Sequence, residues 1–91
     1  MGWNGLIKRS IIVGGAGCLR AKSAAMLVYK TGEFMSEIYM SKGSRSANAK
    51  SLLGVLSLVI ACSDTVEMTI SGPDEEMAAD LLEKFLMDMP E

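Results

Sequence analysis

The sequence predicts one α+β domain in which an antiparallel sheet carries its helices on one face. Three observations support this fold class. The chain has 91 residues, of which 49% are hydrophobic, so it can build one core but not two. Some segments alternate apolar and polar residues as half-buried strands do, whereas others repeat apolar residues with a helical period. Helices that alternate with strands around a central hairpin favour an antiparallel sheet.

The first third of the chain is predicted to contain one strand and one helix. After a loose extension over residues 1–6, a strand is predicted over residues 8–13, where three consecutive residues are β-branched. The glycine-rich residues 14–17 then form a loop. Residues 21–30 are predicted to be helical, because their apolar side chains recur at helical spacing. The residues on that face are Ala24, Leu27, Val28 and Thr31.

The middle of the chain is predicted to form a hairpin and a short helix. Residues 36–42 alternate in polarity, which is typical of a half-buried strand. A Lys-Gly-Ser turn connects this strand to a more polar strand over residues 45–49. A short apolar helix is predicted over residues 51–57. The inward residues of the first strand are Ile38 and Met40.

The last third is predicted to contain one strand and the longest helix. Residues 65–70 alternate again, with an inward set of Val66, Met68 and Ile70. A helix is predicted to start near Pro73, where three acidic residues face the positive end of the helix dipole, and to end at Pro90. Its predicted apolar stripe consists of Met77, Ala78, Leu81, Leu82 and Phe85. The predicted order of elements is therefore β-α-β-β-α-β-α.

Charge is distributed unevenly along the chain. The formal net charge is −2, but residues 8–50 carry eight basic and two acidic side chains, whereas residues 64–91 carry nine acidic side chains and one lysine. This pattern has two interpretations: two solvated faces, or a basic functional face that meets an anion or an acidic partner. Arg20, Lys22 and Ser23 lie where the first loop becomes the first helix, and they form a candidate anion site.

Several classes of function have little support in the sequence. The chain has no histidine, so it lacks the commonest acid–base group and the imidazole that accepts phosphoryl groups. Cys18 and Cys62 lack the spacing of a metal site, and we interpret them as reduced thiols of a cytoplasmic protein. The glycine loop lacks the full fingerprint of a nucleotide-binding loop. The longest apolar run is about half of the roughly 20 residues that span a membrane. We therefore expect no metal, no cofactor, no direct contact with nucleic acid and no membrane span.

The segment that starts at Ser51 is the strongest candidate for a regulatory surface. Ser51 is predicted at the start of the short helix, where its hydroxyl group lies among backbone N–H groups that lack partners. A phosphate added there would meet those donors and the positive end of the helix dipole. Leu52, Leu53 and Leu56 follow beside a polar strand, so we expect at least one of them to be exposed and to serve a protein interface.

Two segments of the sequence match a known pattern. Residues 17–25 read Gly-Cys-Leu-Arg-Ala-Lys-Ser-Ala-Ala, and residues 48–58 read Asn-Ala-Lys-Ser-Leu-Leu-Gly-Val-Leu-Ser-Leu. Together they resemble the HPr family, the phosphocarrier proteins of the bacterial sugar phosphotransferase system. The resemblance implies an open-faced β-sandwich, with a four-stranded antiparallel sheet in the order 1-4-2-3 and three helices on one face. It also implies that Ser51 is a phosphorylation site, because the second segment is typical of the regulatory branch of the family.

The resemblance breaks down at the family's phosphoacceptor site. HPr proteins carry Gly-Leu-His-x-Arg-Pro-Ala-Ala, and in this chain Arg20 stands at the position of the histidine. Cys18, Lys22 and Ser23 replace the glycine, the arginine and the proline. A guanidinium group stays protonated at neutral pH and cannot be a nucleophile. The chain is therefore more similar to Crh-like members, which lack the histidine and keep the serine.

The resemblance implies a regulatory role in carbon catabolite control. In Crh-like proteins an HPr kinase/phosphorylase modifies the serine, and the product binds a catabolite-control transcription regulator. The partner-binding residues would be Arg20, Lys22, Leu52, Leu53 and Leu56. Two alternatives remain: a degenerate module that docks a partner or an anion at Arg20 and Lys22 without being phosphorylated, or a regulator in which Arg20 blocks the phosphohistidine site. We expect no enzymatic activity, and either a monomer or a strand-swapped dimer formed through the glycine loop.

Overall fold

A computed structural model of the chain describes residues 6–14 and 21–88. In these residues, four strands and three helices follow one another in the predicted order. The elements are β1 Ile7–Ile12, α1 Ala21–Thr31, β2 Glu37–Lys42, β3 Arg45–Asn48, α2 Leu52–Ser57, β4 Thr65–Ser71 and α3 Glu75–Met87. The predicted loose extension over residues 1–6 falls almost wholly outside the described residues, as does most of the predicted glycine loop.

The four described strands form one antiparallel sheet in the order β1-β4-β2-β3. Met68 of β4 lies at its centre, opposite Arg9 of β1 on one side and Met40 of β2 on the other. The three described helices cover one face: α3 contacts β1 and β4, α2 contacts β3, and α1 contacts both other helices. The predicted fold class, an open-faced α+β sandwich with the strand order 1-4-2-3, is confirmed.

The core lies between the sheet and the helices, and it follows the predicted alternation. The inward side chains of the two central strands are buried, whereas their neighbours on the open face are polar or exposed. These buried side chains are Ile38, Met40, Val66, Met68 and Ile70. The face predicted for α1 is also buried or half-buried. A shift of one residue in the pairing of a strand would expose its buried side chains and bury its polar ones. This pattern of burial therefore fixes the register of the sheet.

The predicted apolar stripe of α3 is partly wrong. Met77 and Leu81 are exposed, whereas the buried residues of this helix are Ala78, Ala79, Leu82 and Leu86. From Ala78 the buried set repeats every four residues, so one narrow face of α3 contacts the sheet. The larger side chains on its flank lie at the rim of the core, where exposed apolar atoms are common.

Hydrogen bonds connect the start of α3 to the loop between α1 and β2. The Asp74 carboxylate, just before the helix, accepts hydrogen bonds from the backbone N–H groups of Met35 (2.9 Å) and Ser36 (3.0 Å) and from the Ser36 hydroxyl group. The Ser36 side chain, followed by these backbone donors, holds the pKa of Asp74 below its ordinary value. Gly72 has a φ of +156°, and a Cβ atom there would lie 2.5 Å from Ser36, so only glycine fits this approach.

The α2–β4 loop, residues 58–64, is held by a lysine from the neighbouring hairpin. The Lys42 ammonium group donates to the carbonyl oxygen of Val59 (2.6 Å) and pairs with the Asp64 carboxylate (2.8 Å). The hydrogen bond from Lys42 is the main reason why the pKa of Asp64 is lowered. Val59 and Ser63 have φ values of 50° and 74°, in the left-handed region that non-glycine residues rarely adopt. The backbone of the loop is therefore strained, and the contacts from Lys42 hold it in this conformation.

Cys62 in this loop is disulfide-bonded, so the prediction of a reduced thiol is wrong for this residue. The other cysteine in the sequence, Cys18, lies outside the described residues. The loop is also tied to the end of β1. The Val13 N–H donates to the Asp64 carbonyl oxygen and the Ser63 N–H donates to the Val13 carbonyl oxygen, both at 2.9 Å. The spacing of the two cysteines could not predict a disulfide, because only the fold determines what lies near this loop.

Candidate functional site

Ser51 lies at the N-terminus of α2 and caps this helix. Its backbone is extended, with φ −109° and ψ 117°, and its hydroxyl oxygen accepts a hydrogen bond from the Gly54 N–H (3.2 Å). Its carbonyl oxygen accepts the first helical bond, from the Val55 N–H (2.9 Å). Ser51 is exposed, so the hydroxyl group that caps the helix is also accessible to another protein. The predicted place of this serine at a helix start is confirmed.

The turn that presents Ser51 is held by one contact with the end of α1 and one with the loop that follows α1. The hydroxyl group of Thr31, fully buried at the end of α1, lies 2.9 Å from the Ala49 carbonyl oxygen. The Lys50 ammonium group donates to the Phe34 carbonyl oxygen (2.7 Å). Because α2 has only six residues, these contacts fix its starting point more firmly than its own helical bonds can.

Two leucines on α2 are exposed beside Ser51. Leu52 is 39% exposed and Leu53 is 81% exposed, and these two side chains form the leucine patch. Leu56 is half-buried and packs against the core, whereas Val55 is the one fully buried residue of the six in α2, all of which the structure describes. The prediction that at least one of the three leucines is exposed is confirmed. Leu56 has less surface available to a partner than the leucine patch has.

Gly54 leaves space beside the Ser51 hydroxyl group. A Cβ atom at this position would lie 3.3 Å from the Ser51 Oγ atom and 3.2 Å from the Cβ atom of Ala47, closer than most such contacts. The first turn of α2 also has no acidic side chain. A phosphate on Ser51 would therefore meet the open N-terminus of α2 and no carboxylate from that turn.

Of the seven basic side chains that the structure describes in residues 8–50, at least four are engaged within the chain. Arg9 pairs with Asp80 and Glu83 of α3, and the Arg45 guanidinium group donates to the Ser57 carbonyl oxygen (3.0 Å) at the end of α2. The lysines at positions 42 and 50 donate to backbone carbonyl groups, as described above. The interpretation of residues 8–50 as one basic functional face is weaker for this reason.

One of the three residues of the predicted anion site at the start of α1 is not accessible from solvent. Ser23 is 4% exposed, so its side chain cannot serve a ligand that arrives from solvent. Lys22 is exposed in the first turn of α1 and is accessible to a partner. Arg20 lies outside the described residues.

Sequence reasoning missed three residues that shape the site: Thr31, Gly54 and Val55. The position of Gly54, three residues after a capping serine, is a signal that could have marked it as the donor to the cap, because a capping side chain accepts from the backbone N–H there. The sequence predicts Thr31 on a buried face but not its contact with residue 49, because only the fold brings these two segments together.

Residues 6–14 and 21–88 contain no group of three or more histidine, cysteine, aspartate or glutamate side chains that could hold a metal ion. None of the helices in these residues has the length and apolarity of a membrane span. The described site offers an exposed hydroxyl group, an exposed leucine patch and an open helix N-terminus.

Residues 7–88 match the sequence model of the family described as PTS HPr component phosphorylation site. The chain belongs to the HPr family. It is 37% identical over 68 residues to the HPr-like protein Crh of Halalkalibacterium halodurans, which covers 75% of this chain and 81% of that protein. The structure of the phosphocarrier protein HPr from Bacillus anthracis superposes with a TM-score of 0.89 at 28% identity, over 92% of this chain and 100% of that one.

A Crh structure from Bacillus subtilis is also similar to this HPr-family chain. It superposes with a TM-score of 0.71 at 29% identity, over 84% of this chain and 83% of that one, and it is described as a dimer with a swapped domain. The HPr-family relatives thus carry both names, HPr and Crh. Since this chain contains no histidine, it cannot form a phosphohistidine.

Proposed function

We propose that this HPr-family protein is a regulatory protein and not a histidine phosphocarrier, and that phosphorylation of Ser51 switches its binding to other proteins in carbon catabolite regulation. The observation that carries the proposal is the exposed Ser51 hydroxyl group, which caps α2 directly beside the leucine patch. The absence of histidine supports the part of the proposal that the chain is not a histidine phosphocarrier.

Phosphorylation of Ser51 should change binding more than folding. A phosphoserine adds about −1.5 to −2 charges at neutral pH, and these meet free N–H groups and a favourable helix dipole. Each such charge–dipole interaction contributes about 0.3–1 kcal/mol at an exposed site. This free energy can stabilise a short helix, but it is too small to change the fold of the domain. The larger effect arises when a basic pocket of a partner binds the phosphate while the leucine patch enters an apolar pocket.

The proposed partners are an HPr kinase/phosphorylase, which modifies Ser51, and a catabolite-control transcription regulator, which binds the product. The Crh relative of known structure is described as a catabolite repression protein, in line with this role. Lys22, exposed on α1, and Arg20, at the position of the family's histidine, are proposed as further contacts, and Leu56 as a weaker one. The protein itself is proposed to be cytoplasmic and without catalytic activity.

The direct test is incubation of the purified chain with an HPr kinase, ATP and Mg²⁺, followed by intact mass measurement. We expect one added phosphoryl group on the native chain and none on Ser51→Ala. Ser46→Ala and Ser57→Ala are matched controls, because both serines are exposed near the site, and both variants should be labelled normally. Labelling that survives in Ser51→Ala would place the phosphosite elsewhere. No labelling of the native chain would favour the alternative, in which Arg20 and Lys22 dock a partner without phosphorylation.

The proposal that the chain is not a histidine phosphocarrier has its own test. Phosphoenolpyruvate and Enzyme I of the phosphotransferase system should leave no acid-labile phosphoryl group on the chain. Arg20→His alone should restore transfer poorly, because Lys22 and Ser23 also differ from the family pattern. Efficient transfer to that variant would show that these two neighbours do not matter, and an acid-labile adduct on the native chain would refute the proposal.

The oligomeric state is proposed to be a monomer or a dimer that exchanges β1. Among the described strands, β1 lies at the edge of the sheet and pairs with β4 alone, so a second copy could supply it. Gly14, at the start of the predicted glycine loop, comes two residues after the end of β1. Sedimentation over a wide concentration range, before and after slow refolding, should show a dimer in at least one condition if exchange occurs. A monomer in every condition would exclude it.

A further inference from the structure

A groove lies between the last turn of α1 and the second half of α3. Lys30 lines it from α1, and Leu81, Lys84, Phe85 and Asp88 line it from α3 and its end. Its volume is about 270 Å³, just below the range of about 300–1,000 Å³ that is typical of small-molecule pockets. The groove can therefore take one side chain of a partner with its flanking residues, but not a ligand as large as a nucleotide.

Two of the residues that line the groove are apolar. Leu81 is 40% exposed, and Phe85 is half-buried and packs against the core. The Lys30 ammonium group lies 5.7 Å from the centroid of the Phe85 ring, close enough for a cation–π contact. An apolar side chain that packs on Leu81 would thus lie beside a cation.

The groove carries more positive than negative charge. Lys30 and Lys84 contribute two ammonium groups to its lining, whereas Asp88 contributes one carboxylate. Neither ammonium group forms an ion pair with a carboxylate that the structure describes. The basic side chains at positions 9, 42, 45 and 50 are, in contrast, engaged with carboxylates or carbonyl groups. Lys30 and Lys84 therefore keep their charge available for a ligand.

The carboxylates in the middle of α3 lie on another side of the helix. Asp80 and Glu83 pair with Arg9 of β1, so they point toward the sheet edge and away from α1. Their charge is partly offset by this arginine. The groove is thus a positively charged place on the most acidic element of the chain, and it complements a carboxylate.

We propose that this groove docks an acidic segment of another protein. One apolar side chain of the segment packs on Leu81 and Phe85, and a neighbouring aspartate or glutamate pairs with Lys30 and Lys84. The charge of the groove selects an acidic partner, and its volume admits one apolar side chain. Because Ser51 and the leucine patch belong to α2, this docking does not depend on phosphorylation, and either proposal can fail without the other.

The probe for the test is the peptide acetyl-Asp-Glu-Phe-Glu-Asp-amide, titrated at low salt into the full ¹⁵N-labelled chain. We expect saturable shift changes at the groove, foremost at Lys30, Leu81 and Lys84, and weaker binding at high salt. The double variant Lys30→Gln/Lys84→Gln should bind about threefold or more weakly, because two exposed ion pairs are lost. Lys8→Gln is the matched control, since Lys8 is exposed on β1 outside the groove, and it should bind normally.

Asp88→Asn tests the charge of the groove in the opposite direction. It removes the carboxylate that lines the groove and repels the peptide, so binding should become tighter. Asp88 is exposed, and this variant keeps the size of its side chain, so the fold should not change. Weaker or equal binding by Asp88→Asn would contradict the proposed selection by charge.

Four further results would overturn the proposal. The first is the absence of saturable shift changes at the groove with several millimolar peptide. The second is equal binding of acetyl-Lys-Lys-Phe-Lys-Lys-amide, because charge would then not select the partner. The third is the same set of shift changes with inorganic phosphate alone, because the groove would then bind a free anion. The fourth is a change of the groove shifts when the chain alone is diluted, because a second copy would then cover it.

Discussion

α2 and α3 belong to the same layer of the domain but are attached to it in different ways. α3 has 13 residues, of which four are buried, and its carboxylates bind Arg9. α2 has six residues, of which one is buried, and it exposes its capping hydroxyl group and most of Leu53. From this difference we expect that the loss of a buried side chain from α3 destabilises the fold strongly, whereas changes on the exposed side of α2 cost little stability.

The largest expected effect is the loss of a buried side chain from α3. Leu82 is fully buried, so Leu82→Ala should lower the free energy of unfolding by about 2–5 kcal/mol, since it removes buried area and leaves a cavity. Leu81→Ala is the matched control: Leu81 is exposed, and its loss should cost less than about 1 kcal/mol. Urea unfolding measures both variants. Equal losses would mean that the buried face of α3 is the stripe predicted from the sequence.

The attachment of α3 to the α1–β2 loop should depend on pH. Because hydrogen bonds lower the pKa of Asp74 in the folded chain, its charged form stabilises the fold above the unfolded pKa of about 4. This stabilisation is lost as the pH falls through the lower, folded pKa. Asp74→Asn should therefore be less stable by roughly 1–3 kcal/mol at pH 7, and its deficit should shrink in acid.

The same unfolding series with Asp80→Asn is the control for Asp74. Asp80 makes an exposed ion pair with Arg9, and such pairs contribute about 0–1 kcal/mol. A deficit of Asp74→Asn that stays constant from neutral to strongly acidic pH would mean that the charge of this carboxylate does not stabilise the fold.

Filling the space at Gly54 should impair phosphorylation more than stability. The new methyl group of Gly54→Ala would crowd the Ser51 Oγ atom and Ala47, and a kinase should label Ser51 several-fold more slowly. The helical preference of alanine over glycine, up to about 1 kcal/mol, should offset the crowding, so the melting temperature should change little. Gly32→Ala, which would make only ordinary contacts, is the control. Normal labelling of Gly54→Ala would show that this space is not needed.

The smallest effect on stability is expected at the leucine patch. Leu53 is 81% exposed, so Leu53→Ala should change the free energy of unfolding by no more than about 0.5 kcal/mol. The same change should weaken binding of the phosphorylated chain to its partner by about tenfold or more, as truncation of an interface anchor does. Met77→Ala removes a side chain that is 66% exposed on α3 and should affect neither property. A large drop in melting temperature for Leu53→Ala would place this leucine in the core.

The elements of the fold and their buried faces were predictable because that information is local, whereas the strand order 1-4-2-3 was predicted only through the resemblance to the HPr family. Alternation at positions such as Met40 and Met68 fixes which face of a strand is buried, and that face fixes the register. The width of the buried face of α3 was not predictable in the same way. A helical period is equally compatible with Met77 or Ala79 at its edge, and only packing against the sheet decides between them.

The site was predictable where it depends on one segment. A serine before a short apolar helix predicts a cap, and Ser51 is one. Contacts between distant segments were not predictable: Thr31 reaches Ala49, and Lys50 reaches Phe34, only after the chain has folded. The disulfide bond of Cys62 likewise could not be predicted from one segment of the sequence.

The central claim is that phosphorylation of Ser51 alters the surface at α2 and leaves the scaffold unchanged. Amide ¹H–¹⁵N spectra of the unmodified and fully phosphorylated chain test it most directly. We expect shift changes confined to residues 47–58 and to the neighbouring end of α1, which contacts Ala49. Large changes across β1, β4 and α3, where the buried core lies, would contradict the claim.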